Sequence, residues 1–172
     1  MTNVYLLLGG VTGGYFGGYG TSPGMLTLAS ALRQLPGVTV QVYPWGQSDR
    51  AYADIMAAQG RAKIAIPCYS GGVWQATVIA NKATKPVIDL LVAYDPSPPK
   101  LIQPIGPNVK QAICYYNSRP MMWWPGIGRL GGGKITGNTK ITTYTIAEQH
   151  LWVQLDQTLH ARTVAAIKTL GA

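Results

Sequence analysis

The segment Pro67-Cys68-Tyr69-Ser70-Gly71-Gly72 follows a short apolar run, Lys63 to Pro67, and leads straight into residues spaced as a helix. A serine on so sharp a turn from strand to helix has its hydroxyl pushed into the open, the arrangement of a nucleophile elbow. The usual pattern is Gly-x-Ser-x-Gly, and here Cys68, itself small, stands at the first position. Gly71 follows the serine, so its backbone N–H falls at a helix N-terminus, where a developing oxyanion is stabilised. Ser70 also reads as a plain N-cap before a glycine-rich helix start. A base and a carboxylate beside it would separate the two readings.

The chain has two histidines. His150 follows the alternating run Lys140–Ile146 and precedes the last helix, so in a parallel sheet it falls on the same carboxyl edge as Ser70. His160 lies inside that helix, at the margin of its apolar face, a place for a structural residue. A base needs a carboxylate to fix its tautomer and orientation, and only six acids are available. Asp49 and Asp54 lie in or beside the second helix, Glu148 is two residues before His150, and Asp89 sits near the start of a strand. Asp156 suits the N-cap of the last helix. That leaves Asp95, at the end of the branched run Val87–Tyr94. A second oxyanion donor is expected where the first apolar run ends in Gly9-Gly10-Val11, from the N–H of Val11 or Gly10. The rival reading of Gly9 to Gly20 is a phosphate cradle. Against it, a Walker A loop ends in Gly-Lys-Ser/Thr, and no lysine precedes Lys63. A dinucleotide fingerprint opens a helix directly, whereas Tyr15, Phe16 and Tyr19 interrupt this one.

Strands alternating with helices are what must hold these groups. Asn3–Leu8, Val38–Val42, Lys63–Pro67, Val87–Tyr94, Gln111–Tyr116 and Lys140–Ile146 read as strands, the first as one buried on both faces. Helices are expected after Ser22-Pro23, after a cap at Ser48, after the Ser70 turn, and from about Gln157 to Leu170. Such alternation predicts right-handed crossovers and a mainly parallel sheet covered on both faces. Ligands then sit beyond the carboxyl ends of the strands. Pro96–Pro107 and Asn117–Asn138 fit no element, and long connections of this kind are more often functional than idle. Aromatic residues of the loops, Tyr15, Phe16, Tyr69, Trp123 and Trp124, are candidates to line an apolar substrate site or to close the core.

Length and composition set the frame. With 172 residues, 47% of them hydrophobic and 12% charged, the chain is expected to fold as one domain over residues 1–172, and disorder is excluded. Fourteen Lys and Arg against six acids give a net charge of +8. The basic residues are scattered without a cluster or a base-stacking motif, so nucleic acid is not expected as a partner. No apolar run reaches the roughly 18 residues of a membrane helix, and no basic leader precedes Val4, so the expected location is cytoplasmic. Cys68 and Cys114 make no metal site, and their spacing does not tell whether they pair.

The chain resembles the α/β-hydrolase superfamily, and within it the small cap-less lipase-, esterase- and thioesterase-like proteins of bacteria and their phages. The likeness rests on the Leu6–Val11 turn, Val42-Tyr43-Pro44-Trp45-Gly46, the Ser70 elbow, Leu90-Leu91-Val92-Ala93-Tyr94-Asp95-Pro96, Asn108–Asn117 and His150, so it spans most of the chain. The order Ser70, Asp95, His150 is the triad order of that family. The resemblance implies a three-layer αβα sandwich without a cap, with about six strands in the order 2-1-3-4-5-6. It further implies a serine hydrolase of small or lipid-like esters or thioesters that uses no cofactor and no metal. Ser70, Asp95 and His150 would form its triad, and Gly71 with Val11 or Gly10 its oxyanion hole. The chain departs from the family at Cys68 and at Gly9, where many relatives carry His. Two other readings stay open: a member of the fold that binds without catalysing, through its Trp-rich loop, and a flavodoxin-like binding module.

Overall fold

A computed structural model describes residues 1–10, 22–82, 86–118, 123–124 and 128–171, with the backbone alone described at 123–124 and 128–129. Six strands form one sheet: β1 (Thr2–Leu7), β2 (Val38–Tyr43), β3 (Lys63–Tyr69), β4 (Leu90–Tyr94), β5 (Gln111–Asn117) and β8 (Lys140–Ile146). Their order is β2-β1-β3-β4-β5-β8 and every pairing is parallel. Counted within the sheet this is 2-1-3-4-5-6, the expected order. Two short strands, β6 (Trp123–Trp124) and β7 (Gly128–Arg129), pair antiparallel as a separate ribbon between β5 and β8.

Helices cover both faces. Along β1 the side chains alternate, as the pleat requires. Val4, Leu6 and Leu8 pack with Met25, Leu28 and Leu32 of α1 (Pro23–Arg33) and with Leu159 and Ile167 of α5 (Gln157–Leu170). Tyr5 and Leu7 face Ile55 of α2 (Ser48–Ala58) and Val73, Ala76 and Ile79 of α3 (Gly71–Ala80). A one-turn helix, α4 (His150–Val153), precedes α5. Buried on both sides, β1, β3 and β4 read as continuous apolar runs, while the edge strand β8 exposes most of its Thr and Tyr residues. Among the described residues no helix is long and apolar enough to cross a membrane.

Several boundaries differ from the sequence reading for identifiable reasons. β3 runs on through Tyr69, and β4 begins only at Leu90, because Ile88 makes an isolated bridge with Val109 rather than joining the β3 pairing. Gln47, not Ser48, is the N-cap of α2. Pro23 opens α1 as expected, but the Ser22 hydroxyl donates to Gly9 O at 3.2 Å instead of capping the helix. Asp156 does cap α5, accepting from Thr158 N at 2.7 Å and Leu159 N at 3.2 Å.

The register carries the consequence for function. Tyr69 pairs with Tyr94, Tyr94 with Tyr115, and Tyr115 with Tyr144, so the last turns of four strands lie in one row. The residues that follow Tyr69 and Tyr94 are Ser70 and Asp95. Both leave the sheet at its carboxyl edge, side by side.

Candidate active site

Ser70 stands between β3 and α3 with φ 54° and ψ −122°, a left-handed conformation that side chains rarely adopt. Backbone bonds hold it there: Ser70 N donates to Tyr94 O at 3.1 Å, and Ser97 N donates to Ser70 O at 3.3 Å. The tight turn also needs room. A β-carbon on Gly9 would lie 2.6 Å from the Ser70 Cβ, and one on Gly72 would lie 2.4 Å from Leu7 O. A larger residue such as His at position 9 would therefore displace the serine, which accounts physically for that departure. Cys68 departs without penalty, because its side chain is wholly buried in the core and its thiol donates to Val92 O at 3.4 Å.

The Ser70 Oγ is 2.9 Å from His150 Nε2, and His150 Nδ1 is 2.8 Å from Asp95 Oδ2. A carboxylate only accepts, so Nδ1 carries the proton and neutral Nε2 accepts from the serine hydroxyl. All three residues are nearly removed from solvent, Ser70 and His150 at 4% exposure and Asp95 at 0%. Burying a carboxylate is costly unless its oxygens are hydrogen-bonded. Here Oδ1 accepts from Asn117 N at 3.0 Å and Gly132 N at 2.7 Å, leaving Oδ2 to the imidazole. Asp95 also has positive φ, 41°, and its own N–H donates to Tyr115 O at 2.7 Å.

Further contacts fix the imidazole. Tyr69, expected at the substrate, is 2% exposed. Its ring stacks on His150 with centroids 5.2 Å apart, and its hydroxyl donates to His150 O at 2.9 Å. Asn117 Nδ2 donates to Glu148 O at 2.7 Å, tying the end of β5 to the loop that carries the histidine. His160 has a different place: its Nε2–H donates to Gln154 O at 2.7 Å, and burial lowers the ring's pKa from its ordinary value.

Cys68 and Cys114 are both free and buried. Burial pushes both thiols up, Cys114 to about 11, so neither rivals Ser70 as a nucleophile near neutral pH. Among the described residues no group of three or more His, Cys, Asp or Glu side chains is placed to hold a metal ion.

In front of Ser70 lies a hollow of about 240 Å³, walled by Trp45, Trp74, Pro98 and Leu101, with Gly10, Gly71 and Ser97 around the serine. The two indole rings lie 6.4 Å apart, tilted by 40°. Gly71 begins α3, so its N–H is among the unpaired donors of a helix start beside the serine. Gly10 reaches the same hollow; Val11, Tyr15, Phe16 and Tyr19 lie outside the described residues, as do the side chains of Trp123 and Trp124. A larger hollow, about 590 Å³, opens at the opposite edge of the sheet around Lys63, Asp89 and Lys110, far from any serine–histidine pair.

From sequence, Trp45 and Asn117 entered only through the family likeness, and Trp74, Ser97 and the Gly131–Gly132 turn were given no role at the site. Two of these carried a signal. Trp74 is one helical turn beyond Ser70, and the run Gly131-Gly132-Gly133 marks a place where backbone must come close to something. That something is the carboxylate: a β-carbon on Gly131, whose φ is +76°, would lie 2.0 Å from Asp95 Oδ2.

No family model and no curated protein sequence matches the chain. Solved structures do match its shape. Human thioesterase 2 superimposes with a TM-score of 0.55 over 99% of this chain and 98% of that one, at 9% identity. ClbQ from the colibactin NRPS/PKS pathway does so with a TM-score of 0.53 over 98% of this chain and 96% of that one, at 11% identity. At such identities the likeness is one of fold alone: this chain shares the α/β-hydrolase-like architecture of those two structures.

Proposed function

We propose that the chain is a serine hydrolase that cleaves small ester or thioester substrates through an acyl-enzyme. The observation that carries this reading is the unbroken hydrogen-bonded series from Ser70 Oγ through His150 to Asp95, 2.9 and 2.8 Å long, built on a serine at φ 54°. The thioesterase-like fold supports it, and so does the apolar hollow in front of the serine.

Ser70 Oγ attacks the substrate carbonyl as His150 Nε2 takes its proton, and the imidazolium is stabilised by Asp95 Oδ2. The oxyanion that forms is met by the Gly71 N–H, with Gly10 or Val11 as second donor. His150 then gives its proton to the departing alkoxide or thiolate. Water, deprotonated by the same nitrogen, releases the acid and restores Ser70. Every step is carried by groups of this chain.

The test is hydrolysis of p-nitrophenyl acetate, butyrate and octanoate, and of the matching acyl thioesters of N-acetylcysteamine, by wild type and Ser70→Ala. Labelling of both proteins with a fluorophosphonate probe accompanies it. Turnover that falls by about 10⁴-fold or more in the mutant, together with loss of labelling, supports the nucleophile. Equal residual rates in the two proteins and no labelling of either overturn it in favour of a binding protein of the same fold.

A further inference from the structure

The turn that carries His150 has an outer side that the relay leaves unexplained. α4 and the two residues after it bury His150, Val153 and Gln154 and turn Leu151, Trp152 and Leu155 outward, at 46%, 61% and 38% exposure. The two leucines are four residues apart with Trp152 between them, so the three share one side of the turn. The turn is not free to swing them inward. Gln154 O accepts from His160 Nε2–H at 2.7 Å, and α1 packs so closely on it that a β-carbon on Gly24 would lie 1.9 Å from the same oxygen. Leu101, in the wall of the hollow before Ser70, is a fourth exposed apolar side chain at the carboxyl edge. Exposed bases accompany them: Lys100 beside Leu101, and Lys134 and Arg162, 4.3 and 5.3 Å from the ring centres of Tyr116 and Tyr144. None of the three makes an ion pair among the described residues, and they outnumber Glu148 and Asp156, the partly exposed acids beside the turn.

We propose that this carboxyl edge docks on an anionic lipid surface, with Trp152 as its anchor and Leu151 and Leu155 beside it. The apolar patch amounts to roughly 300 Å², well short of the area, about 800 Å² a side, that a stable protein complex covers. A bilayer needs no matching contour, and an indole settles at the headgroup level with its ring apolar and its N–H wet. Attraction to anionic headgroups follows from the net charge of +8, with three unpaired bases at this edge. His150 opens α4, so docking through the next two residues brings the Ser70 hollow close to the lipid. The docking does not require Ser70 to be a nucleophile; with the hydrolase reading above, it makes lipid-borne esters or thioesters the substrates.

The experiment is co-sedimentation of wild type and Trp152→Ser with vesicles of phosphatidylcholine, alone or with about one-third phosphatidylglycerol, at low salt and at about 0.5 M NaCl. Wild type is expected to bind the anionic vesicles at least about tenfold more tightly than the neutral ones, with that preference lost at the higher salt. Trp152→Ser is expected to weaken binding to anionic vesicles by about tenfold or more, while its melting midpoint stays within about 2 °C of wild type. Wild-type protein that stays in the supernatant, binds both vesicles alike or is matched by the variant overturns the proposal. A midpoint that falls further does so too, since Trp152 is then a packing residue. Light scattering without lipid completes the test: a dimer that Trp152→Ser dissociates assigns the patch to a second copy instead. Because lipid binding is the readout, its failure leaves turnover and fluorophosphonate labelling at Ser70 untouched, and their failure leaves the docking in place.

Discussion

Gly131→Ala is the perturbation that tests the relay without altering any of its three side chains. A β-carbon at this position would lie 2.0 Å from Asp95 Oδ2, 2.8 Å from its Cγ and 2.8 Å from His150 Nδ1. Atoms of this kind essentially never approach a β-carbon closer than 3.0 Å, so the carboxylate oxygen or the loop must retreat by about an ångström. Asp95 has little freedom to yield, being wholly buried with Oδ1 held by Asn117 N and Gly132 N. If the loop retreats instead, it takes the Gly132 N–H with it. In the first case the 2.8 Å bond to His150 Nδ1 is lost, and in the second the carboxylate loses one of the two donors that hold it in line with that bond. An alanine at φ +76° adds about 1–2 kcal/mol of backbone strain, and the charged hydrogen bond about 1.5–3 kcal/mol more. At about 2–4 °C per kcal/mol for a chain of this size, the melting midpoint should fall by about 5–20 °C. Loss of the orienting carboxylate costs up to about 10⁴-fold in kcat, so a fall of between about 10²- and 10⁴-fold is expected, with KM changed by less than about threefold. The assay is steady-state hydrolysis of p-nitrophenyl butyrate at a temperature where circular dichroism shows the variant folded. Asp95→Asn and the double variant are measured beside it. Since both changes remove one interaction, the double variant should be no slower than Asp95→Asn alone. A Gly131→Ala enzyme within about threefold of the wild-type kcat, or a double variant whose losses multiply, would refute the reasoning.

Two further outcomes follow from the rest of the fold. Tyr94→Phe removes a hydroxyl that pairs with Thr163 Oγ1 at 2.5 Å and donates to Leu159 O at 3.2 Å, the polar link between β4 and α5. It should cost about 1–3 kcal/mol, read as a drop of several degrees in a thermal melt, and an unchanged midpoint would show the link to be idle. At the other edge of the sheet, burial works against the charge of Asp89, but Lys110, the Ile64 N–H and Lys63 outweigh it and hold the carboxyl below its ordinary value. With the folded value lower than the unfolded one, the native state binds fewer protons. The contribution is thus complete above the unfolded value of about 3.9 and fades as pH falls through the folded value. Asp89→Asn should lower the melting midpoint at neutral pH and make its decline below about pH 4 shallower; parallel declines in the two proteins would contradict the assignment.

What the sequence made legible was the part of the design that depends on one residue type at one place in an element. The apolar runs of β1, β3 and β4 stand out because burial on both faces leaves no room for polar residues. The glycines after Ser70 mark the turn because only a small residue lets α3 approach Leu7 O. Strand order came from the resemblance to α/β-hydrolases, while the parallel pairing and covered faces came from the alternation of strands and helices. The contacts that hold His150 and Asp95 in place were not legible, since they join residues far apart in the chain through backbone atoms. Asn117 N, Gly132 N and His150 O are donors and acceptors that any residue at those positions would supply. The hollow's walls were sought among the aromatic residues of the long loops, whereas Trp45 and Trp74 belong to the short β2–α2 connection and the first turn of α3. Parallel topology brings such places together at the carboxyl edge, and composition alone does not reveal it.

The scarcity of acids bears on why Asp95 is the carboxylate beside the histidine. Asp89 is engaged with two lysines at the amino edge, Asp49 with Lys82, Asp54 with the Tyr43 hydroxyl, and Asp156 with the start of α5. Glu148 enters the site only through its backbone oxygen, which accepts from Asn117. Unlike Asp89 and Asp49, Asp95 makes no ion pair with a lysine or arginine among the described residues; its oxygens are held by two backbone N–H groups and the imidazole. A nearby lysine would compete for Oδ2 and would remain charged throughout a reaction, whereas backbone dipoles leave that oxygen free for the one group whose charge changes. In the proposed reaction Asp95 is the carboxylate that would stabilise the imidazolium as Ser70 gives up its proton.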